Sequence, residues 1–286
     1  MRVEACCQFL LKELLPNIDP NREGVCLDVG VGNFAFYCDL FSKLGFSSVA
    51  VEPFPNWKLR RICQRRSIQL LEYCLSDRNG TQTLYLGRFA SLANGNFNSL
   101  ESEWFASSKK TKIVSTINLL ELLRITAASK ITCLKLDIEG WEIVVMEQLK
   151  ALSSSQLPQV IMFEYGGGCR RYEGKKGWSP KFLTGTMKCL ETLQKCGYGF
   201  SILIDYAPDA TTKTFNLQSQ DLDPDQIFLN NAVYGNIITF YCDDYSESAI
   251  APKTHRIEDS IAQMTNPYNG KWLNWLMEKI ITLDKF

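Results

Sequence analysis

The residues of this chain that are best suited to chemistry are concentrated in two short segments. In the first, an apolar strand ends in Asp28, Gly30 and Gly32, spaced as D-x-G-x-G, and a helix is predicted to begin soon after Asn33. Glycines let the backbone turn with unusual φ angles and let a ligand lie against bare amide groups. The helix N-terminus favours a carboxylate or phosphate group. Glu52 ends the next predicted strand, where a carboxylate can accept hydrogen bonds from both hydroxyls of a ribose.

Two cofactors are compatible with this pattern. A dinucleotide would use G-x-G-x-x-A, which Gly30, Gly32 and Ala35 satisfy. S-adenosylmethionine (SAM) would use D-x-G-x-G, with Asp28 helping to hold its ammonium group. A plain turn without a ligand is the third interpretation, because D-x-G-x-G alone has little specificity.

The second segment places three carboxylates at the end of another apolar strand. These acids are Asp137, Glu139 and Glu142. In open α/β sheets ligands bind outside the carboxyl ends of the strands, so Asp137 should face the same crevice as the glycine turn. Glu139 and Glu142 would share one face of a helix that starts here. Acidic residues also suit the first turn of a helix that binds nothing, which is the structural alternative.

The elements that must position these segments alternate between short apolar strands and amphipathic helices. This alternation predicts a parallel α/β sheet with right-handed crossovers. The core strands are predicted at 25–29, 48–52, 68–75, 131–137 and 160–164, and the helices between them at 34–44, 57–66, 119–128 and 141–152. Outside this core we expect a helix at 2–15, strands at 81–86, 113–117, 200–205 and 237–242, and helices near 187–193 and 273–281.

Three segments of the chain read CLDVGVGNFAFY, VAVEPFPN and LKLDIEGWEIVVMEQL. In this order and spacing they resemble the FkbM-type SAM-dependent methyltransferases. CLSDRNG at 74–80 and MFEYG at 162–166 also match, so the resemblance covers about residues 22–165. It implies a Rossmann-like methyltransferase fold, with a mostly parallel seven-stranded sheet and helices on both faces. It also implies SAM as the cofactor and, usually, O-methylation of small molecules or sugars.

The resemblance also implies roles for individual residues. The turn at Asp28, Gly30, Gly32 and Asn33 would line the methionine half of SAM, and Glu52 would bind the ribose. By position, Ser76 and Asp77 would approach the adenine, and Asp137 would lie beside the sulfonium and the acceptor. Trp141 stands where the family commonly has a small residue, which predicts a reshaped acceptor pocket.

Several acidic side chains are candidates for the base that a hydroxyl acceptor needs. By position we favour Asp137, Glu139, Glu142 and Glu164 over His255, the only histidine. No ligand spacing demands a metal, and we expect none.

A glycine-rich basic segment directly follows the fifth core strand. Residues 166–178, extending to 184 at most, include Arg170, Arg171, Tyr172 and Trp178. We expect this segment to be either an ordinary exposed loop or a mobile lid whose arginines attract an anionic or polyhydroxyl acceptor. A second basic run, residues 60–66 next to Trp57, is either a solvated helix face or a site for an anionic substrate or RNA.

Composition excludes several classes of protein. The 286 residues carry 31 basic and 31 acidic side chains, so an overall basic nucleic-acid binder is not expected. No run of about 18 apolar residues exists, and charges interrupt any signal-peptide core, so we expect a cytoplasmic protein without a membrane partner. The eleven cysteines show no C-x-x-C pair, which favours buried thiols over a zinc site.

The leading functional hypothesis is a SAM-dependent O-methyltransferase acting on a small metabolite, glycan or peptide. The alternatives are an N-methyltransferase on a similar acceptor, an NAD(P)-dependent oxidoreductase and a non-catalytic SAM-binding protein. We expect residues 21–250 to form the catalytic domain, with helical extensions at 1–20 and 251–286. The sequence predicts no oligomeric state.

Overall fold

A computed structural model describes residues 2–89, 92–206, 210–219 and 221–241. His255, the predicted tail helix and the extension at 251–286 lie outside these residues. The described helices are α1 (Arg2–Ile18), α2 (Phe36–Lys43), α3 (Trp57–Arg66), α4 (Leu119–Thr126), α5 (Glu142–Met146), α6 (Pro180–Lys195) and α7 (Pro224–Ile227). The strands are β1 (Val25–Val29), β2 (Ser47–Val51), β3 (Gln69–Leu71), β4 (Cys74–Leu75), β5 (Gly80–Phe89), β6 (Leu92–Ala93), β7 (Ser107–Ile117), β8 (Ile131–Leu136), β9 (Val160–Gly166), β10 (Tyr198–Asp205), β11 (Thr211–Asn216) and β12 (Tyr234–Tyr241).

The main sheet has the order β11-β10-β12-β9-β8-β1-β2-β3. The five strands from β3 to β9 are parallel, β12 runs against β9, and β10 runs against β12 and β11. Six of the eight strands therefore share one direction. These five strands lie side by side in the order β3-β2-β1-β8-β9. If they are numbered 1 to 5 as they occur along the chain, this order is 3-2-1-4-5, as in a Rossmann-like sheet. The predicted α/β class is confirmed.

The predicted count of seven strands is wrong, because the described part of the sheet has eight. The additional strand is β11, which lies between the strands predicted at 200–205 and 237–242, where no strand was predicted. Its sequence, TTKTFN, buries only Phe215, so it lacks the apolar run of a core strand. It pairs with β10 at the edge of the sheet, where polar and charged side chains are usual.

The predicted third strand at 68–75 is divided in the structure. Its first part, β3, completes the main sheet, and its second part, β4, joins a separate sheet of order β4-β7-β5-β6. The two strands predicted at 81–86 and 113–117 are longer than expected, and they form the antiparallel pair β5–β7. This small sheet brings the segment after β6 close to the carboxyl ends of the main strands.

Both faces of the main sheet are buried, as a mostly parallel sheet requires. Successive residues of β8 show the alternation, since Cys133 packs under α1 and α2 while Leu134 packs under α4, α5 and α6. Helix α1 lies on the first face, where Leu10 and Leu11 are fully buried. No described helix is long and apolar enough to cross a membrane. Ten cysteines fall within the described residues as free thiols, and eight of them are buried, in agreement with the sequence prediction.

Candidate functional site

Close packing requires glycine at two positions of the turn after β1. Gly30 and Gly32 adopt left-handed φ angles of 74° and 60°. A Cβ atom on Gly30 would lie 1.7 Å from the carbonyl oxygen of Asp137, and one on Gly32 would lie 2.8 Å from Oδ1 of Asn96. The two motifs recognised in the sequence therefore touch each other through backbone atoms that only glycine allows so close.

Glu52, at the end of β2, holds the same turn from the other side. Its carboxylate accepts hydrogen bonds from the backbone N–H groups of Gly32 at 2.9 Å and Phe54 at 3.1 Å. Only 7% of the residue is exposed, and this burial raises the pKa of the carboxyl. A carboxylate offers about four acceptor positions, so two remain for hydroxyl donors.

An asparagine cluster that the sequence analysis missed covers the turn. Oδ1 of Asn96 accepts bonds from the backbone and side-chain amides of Asn33, and Asn56 donates to Oδ1 of Asn33 at 2.9 Å. Asn96 is 63 residues from Asn33, in the short 3-10 helix Gly95–Phe97 that follows β6. The only sequence signal for it is a loop rich in asparagine.

A cleft, called here the cofactor cleft, runs along these residues at the carboxyl ends of β1, β2 and β8. Its lining includes Gly30, Gly32, Glu52, Tyr73, Cys74, Leu75, Leu84, Asn96, Leu100, Asp137, Glu139 and Trp141. Its volume is about 50 Å³, whereas pockets for ligands of this class usually enclose about 300 Å³ or more.

Two residues predicted to approach the adenine lie beside this cleft and not in its lining. Ser76 is fully buried, and its hydroxyl receives bonds from Nε1 of Trp141 at 3.2 Å and Nε2 of Gln82 at 2.7 Å. Oδ1 of Asp77 accepts from the Ser76 hydroxyl at 3.1 Å. Tyr73, Leu75, Leu84 and Leu100 line the cleft instead.

Asp28 also lies below the cleft. It is 1% exposed, its Oδ2 accepts from the backbone N–H of Cys38 at 2.9 Å, and its Oδ1 lies 3.2 Å from Nζ of Lys135. The carboxylate thus anchors the start of α2 and neutralises a buried lysine. The expected direct contact with a ligand ammonium group gains no support from this placement.

Lys135, two residues before Asp137, is a buried lysine that the sequence analysis did not single out. Its Nζ donates to the carbonyl of Gly30 at 2.9 Å and lies 3.3 Å from Oδ2 of Asp137. Burial alone would lower the pKa of this lysine, but the charges of Asp137, Asp28 and Glu4 outweigh it and raise the pKa. The signal available in the sequence was a lysine inside an otherwise apolar strand.

Four acidic residues converge where β8 and β9 end. Oxygen atoms of Asp137, Glu139 and Glu164 lie within 4.8 Å of one another, a spacing that can accept a cation. Glu142 is the fourth, and it accepts from the backbone N–H groups of Ile138 at 2.9 Å and Gly140 at 3.0 Å. The structure thus brings together all the acids predicted as candidate bases.

Burial and mutual repulsion change the acidity of this group. Burial, followed by the charge of Asp137, raises the pKa values of Glu139 and Glu164 well above normal, and Glu164 also shares a hydrogen bond with Asp137. Burial is likewise the main cause that raises the pKa of Glu142 to about 7. Neighbouring carboxyl groups with raised pKa values are typical of catalytic sites.

Glu139 is held in a defined position. Nε1 of Trp104 donates to its carboxylate at 2.5 Å, and the hydroxyl of Ser99 donates to its backbone carbonyl at 2.7 Å. Its φ of 58° is left-handed, which is costly for a residue other than glycine. Trp104, 35 residues away in sequence, gave no signal of this role.

A second cleft, called here the acceptor cleft, lies on the other side of Trp141. Its volume is about 100 Å³. Its lining combines aromatic side chains with acids and one lysine, and includes Trp104, Trp141, Phe163, Phe182, Glu101, Glu142, Glu164 and Lys181. Trp141 lines both clefts, so the residue that departs from the family pattern forms the wall between them.

The arginines predicted for a lid point elsewhere. Arg171 forms an ion pair with Asp225 and its guanidinium lies 6.0 Å from the ring centre of Phe228, while Arg170 donates to the hydroxyl of Tyr172 at 3.2 Å. Within the described chain, neither arginine is among the residues that line the acceptor cleft.

Trp178, a residue of the segment predicted as an exposed loop or a lid, is buried in the structure. The residue is 2% exposed, and its Nε1 donates to the carbonyl of Val233 at 2.7 Å. A Cβ atom on Gly166 would lie 2.7 Å from the Trp178 ring, so the glycines of this segment permit tight packing. The consecutive glycines in the sequence were interpreted as freedom of movement, although close approach was the alternative reason for them.

The family model described as Methyltransferase FkbM domain matches residues 24–200, which is more than half of the chain and includes both clefts. Neither a curated protein nor a solved structure matches the chain significantly.

Proposed function

The chain belongs to the FkbM methyltransferase family, and on that premise we propose that it transfers a methyl group from SAM to an oxygen or nitrogen atom. The acceptor is a small metabolite, a glycan or a peptide. The proposal rests on one observation. The cofactor cleft and the acceptor cleft meet at Trp141, which lines both, and the neighbouring acids Asp137 and Glu164 line one cleft each.

The chemistry of the cofactor cleft fits SAM. Gly30 and Gly32 have no Cβ atom, so their backbone is open to a ligand. Glu52 has spare acceptor positions for the two hydroxyls of a ribose, and Tyr73 can pack on an adenine. Asp137, with 30% of its side chain exposed, is the acid available to the amino-acid end. When bound, SAM supplies an electrophilic methyl group. The family match favours this cofactor over the dinucleotide alternative.

The acceptor cleft favours a neutral or positively charged group. Its acids outnumber its single lysine, and Lys181 is already paired with Glu101 at 2.9 Å and with Glu103. Aromatic walls stabilise rings and cations. We therefore replace the expectation of an anionic acceptor with a hydroxyl-bearing ring or an amine.

Glu164 is the residue to which we assign proton removal from the acceptor. It lines the acceptor cleft, and only its carboxylate form can accept a proton, so its raised pKa requires that Glu164 ionise before it acts as the base. Its neighbour Asp137 can share the proton through the hydrogen bond between them. Trp104 and Phe182, in edge-to-face contact at 4.9 Å, would orient the acceptor.

The test follows formation of S-adenosylhomocysteine (SAH) from SAM carrying a deuterated methyl group. Fractions of metabolites, glycans and peptides serve as acceptor pools, and mass spectrometry identifies the labelled product, with and without EDTA. Glu164→Gln should keep SAH affinity while lowering turnover by about 100-fold, the lower range for a general base. The exposed Glu191 on α6 provides the matched control, Glu191→Gln, which should behave as wild type.

Other outcomes favour the alternatives. Binding of NADH without binding of SAH would indicate an oxidoreductase. Tight SAH binding without turnover in every pool would indicate a non-catalytic SAM-binding protein. Full turnover by Glu164→Gln would remove that residue from the mechanism.

A further inference from the structure

Three large aromatic side chains are exposed beside the mouth of the cofactor cleft. Phe34 is 47% exposed, Phe36 42% and Trp57 73%. The two phenylalanine rings are stacked, with centres 5.3 Å apart and planes at 9°. Exposed aromatic groups that lie together on a protein surface usually mark an interaction site. We call these three residues the aromatic patch.

The aromatic patch belongs to one rigid region. Phe34 follows Asn33 after β1, and Trp57 follows Asn56 after β2, and the two asparagines are joined by the 2.9 Å hydrogen bond between their side chains. Nζ of Lys58 lies 5.7 Å from the ring centre of Phe34. Phe34, Phe36 and Lys58 also line one shallow groove of about 280 Å³. The two phenylalanine rings and Lys58 therefore lie on one surface, and the exposed Trp57 immediately precedes Lys58 at the start of α3.

Helix α3 adds positive charge to this surface. Trp57, Arg61 and Arg65 are spaced by four residues, so they form one stripe along the helix. The neighbouring cations already have acidic partners, because Arg60 pairs with Glu72, and Arg66 and Lys43 share Asp39. In the part of the chain that the structure describes, no ion pair involves Lys58, Arg61 or Arg65.

We propose that the aromatic patch, together with Lys58, Arg61 and Arg65, docks the protein on an anionic lipid surface. Aromatic side chains settle at the boundary between lipid headgroups and hydrocarbon, and nearby cations are attracted to anionic headgroups. Both features occur here on one side of the molecule. The proposal revises the sequence expectation of no membrane partner, and it is independent of methyl transfer.

A nucleic acid fits this surface less well than a lipid. The chain has no net charge, and three free cations are fewer than a phosphate-tracking groove provides. The two phenylalanine rings are stacked on each other, which leaves fewer faces for bases. Docking at the aromatic patch would also place the mouth of the cofactor cleft near the lipid surface, because Asn33 and Asn96 connect the two.

The test is co-sedimentation of the full chain with phosphatidylcholine vesicles, with or without phosphatidylserine. Binding should require phosphatidylserine and weaken with added salt. Each cation near an anionic surface contributes roughly fivefold in affinity, so Arg61→Gln/Arg65→Gln should bind about 25-fold more weakly. Trp57→Ser should also weaken binding. Lys188→Gln/Lys195→Gln, the same charge change on α6 across the sheet, should leave it unchanged.

Thermal melting and SAH titration of each variant distinguish loss of docking from loss of folding. A blue shift in emission on vesicle binding that is present in wild type and absent in Trp57→Ser would place that ring in the lipid. The proposal is overturned if phosphatidylserine vesicles do not bind, or if both double variants weaken binding equally. Binding to RNA homopolymers that depends on Arg61 and Arg65, without vesicle binding, would also overturn it.

Discussion

The ammonium group of Lys135 lies 3.3 Å from the carboxylate of Asp137, and the same nitrogen donates to the carbonyl of Gly30. One buried side chain therefore connects the glycine turn after β1 to the acid after β8. With Asp28 as a third partner at 3.2 Å, it fixes the spacing between two strands at the point where the cofactor cleft opens.

Lys135→Met should destabilise the protein strongly. The substitution leaves the carboxylate of Asp28, which is 1% exposed, without its counter-charge. Removing one partner of a buried ion pair typically costs about 3–5 kcal/mol. Urea denaturation measures the loss in the free energy of unfolding.

Lys150 provides the control for this experiment. It pairs with Glu147, and both side chains are exposed, Lys150 at 44% and Glu147 at 46%. Lys150→Met should therefore cost about 1 kcal/mol or less. Equal losses for the two variants would contradict the buried role of Lys135.

Gly30→Ala should abolish SAH binding or weaken it by more than tenfold. The new methyl group would meet the carbonyl of Asp137 at 1.7 Å, which forces the two motifs apart. Gly174→Ala isolates the backbone effect, since Gly174 has a similar φ of 60° and nothing within 4 Å of its Cβ position. The control should lose about 1–2 kcal/mol of stability from the left-handed φ and keep its SAH affinity.

Calorimetric titration with SAH compares the two variants. If Gly30→Ala binds SAH normally, the close approach at this turn is not needed for the ligand.

The sequence was sufficient for the features that depend on local patterns. Short apolar runs located β1, β2, β8 and β9, and D-x-G-x-G located the turn at Gly30 and Gly32, because strand burial and positive φ leave a direct trace in residue type. The family resemblance is confirmed by the match over residues 24–200.

The features that were missed depend on contacts between distant parts of the chain. Asn96 reaches Asn33 across 63 residues, and Trp104 reaches Glu139 across 35, and neither partner can be inferred from spacing. The failure at Trp178 has the same origin, since only the folded chain shows that the ring is buried against Tyr165 and Phe228. The contacts of all three residues are set by packing between segments that are distant in sequence.

Glu52→Gln should weaken SAH binding by about 1–3 kcal/mol, because a charge-assisted acceptor of ribose hydroxyls is replaced by a neutral amide. Calorimetric titration measures this change. Glu72→Gln is the control, as that glutamate is exposed and paired with Arg60 on the surface. Unchanged affinity in Glu52→Gln would mean that the carboxylate serves only to hold Gly32 and Phe54.

Glu142 should make stability depend on pH. Its folded-state pKa is about 7, raised mainly by burial from an ordinary value of 4.5. Between these values the folded chain keeps a proton that the unfolded chain has released, so rising pH favours unfolding. The contribution is complete below pH 4.5 and is lost as pH rises through about 7. The difference between pKa values of 4.5 and about 7 corresponds to about 3 kcal/mol in the free energy of unfolding.

Glu142→Gln separates this effect from the hydrogen bonds of the same side chain. The variant loses one of the two acceptors for Ile138 and Gly140, so it should be less stable than wild type at pH 5. Its stability should fall less steeply between pH 5 and 8, because one titrating group is gone while Glu139 and Glu164 remain. Urea denaturation across this range measures the slope. An identical slope in both proteins would show that Glu142 is already ionised in the folded chain at pH 5. The backbone hydrogen bonds to its carboxylate would then lower its pKa more than burial raises it.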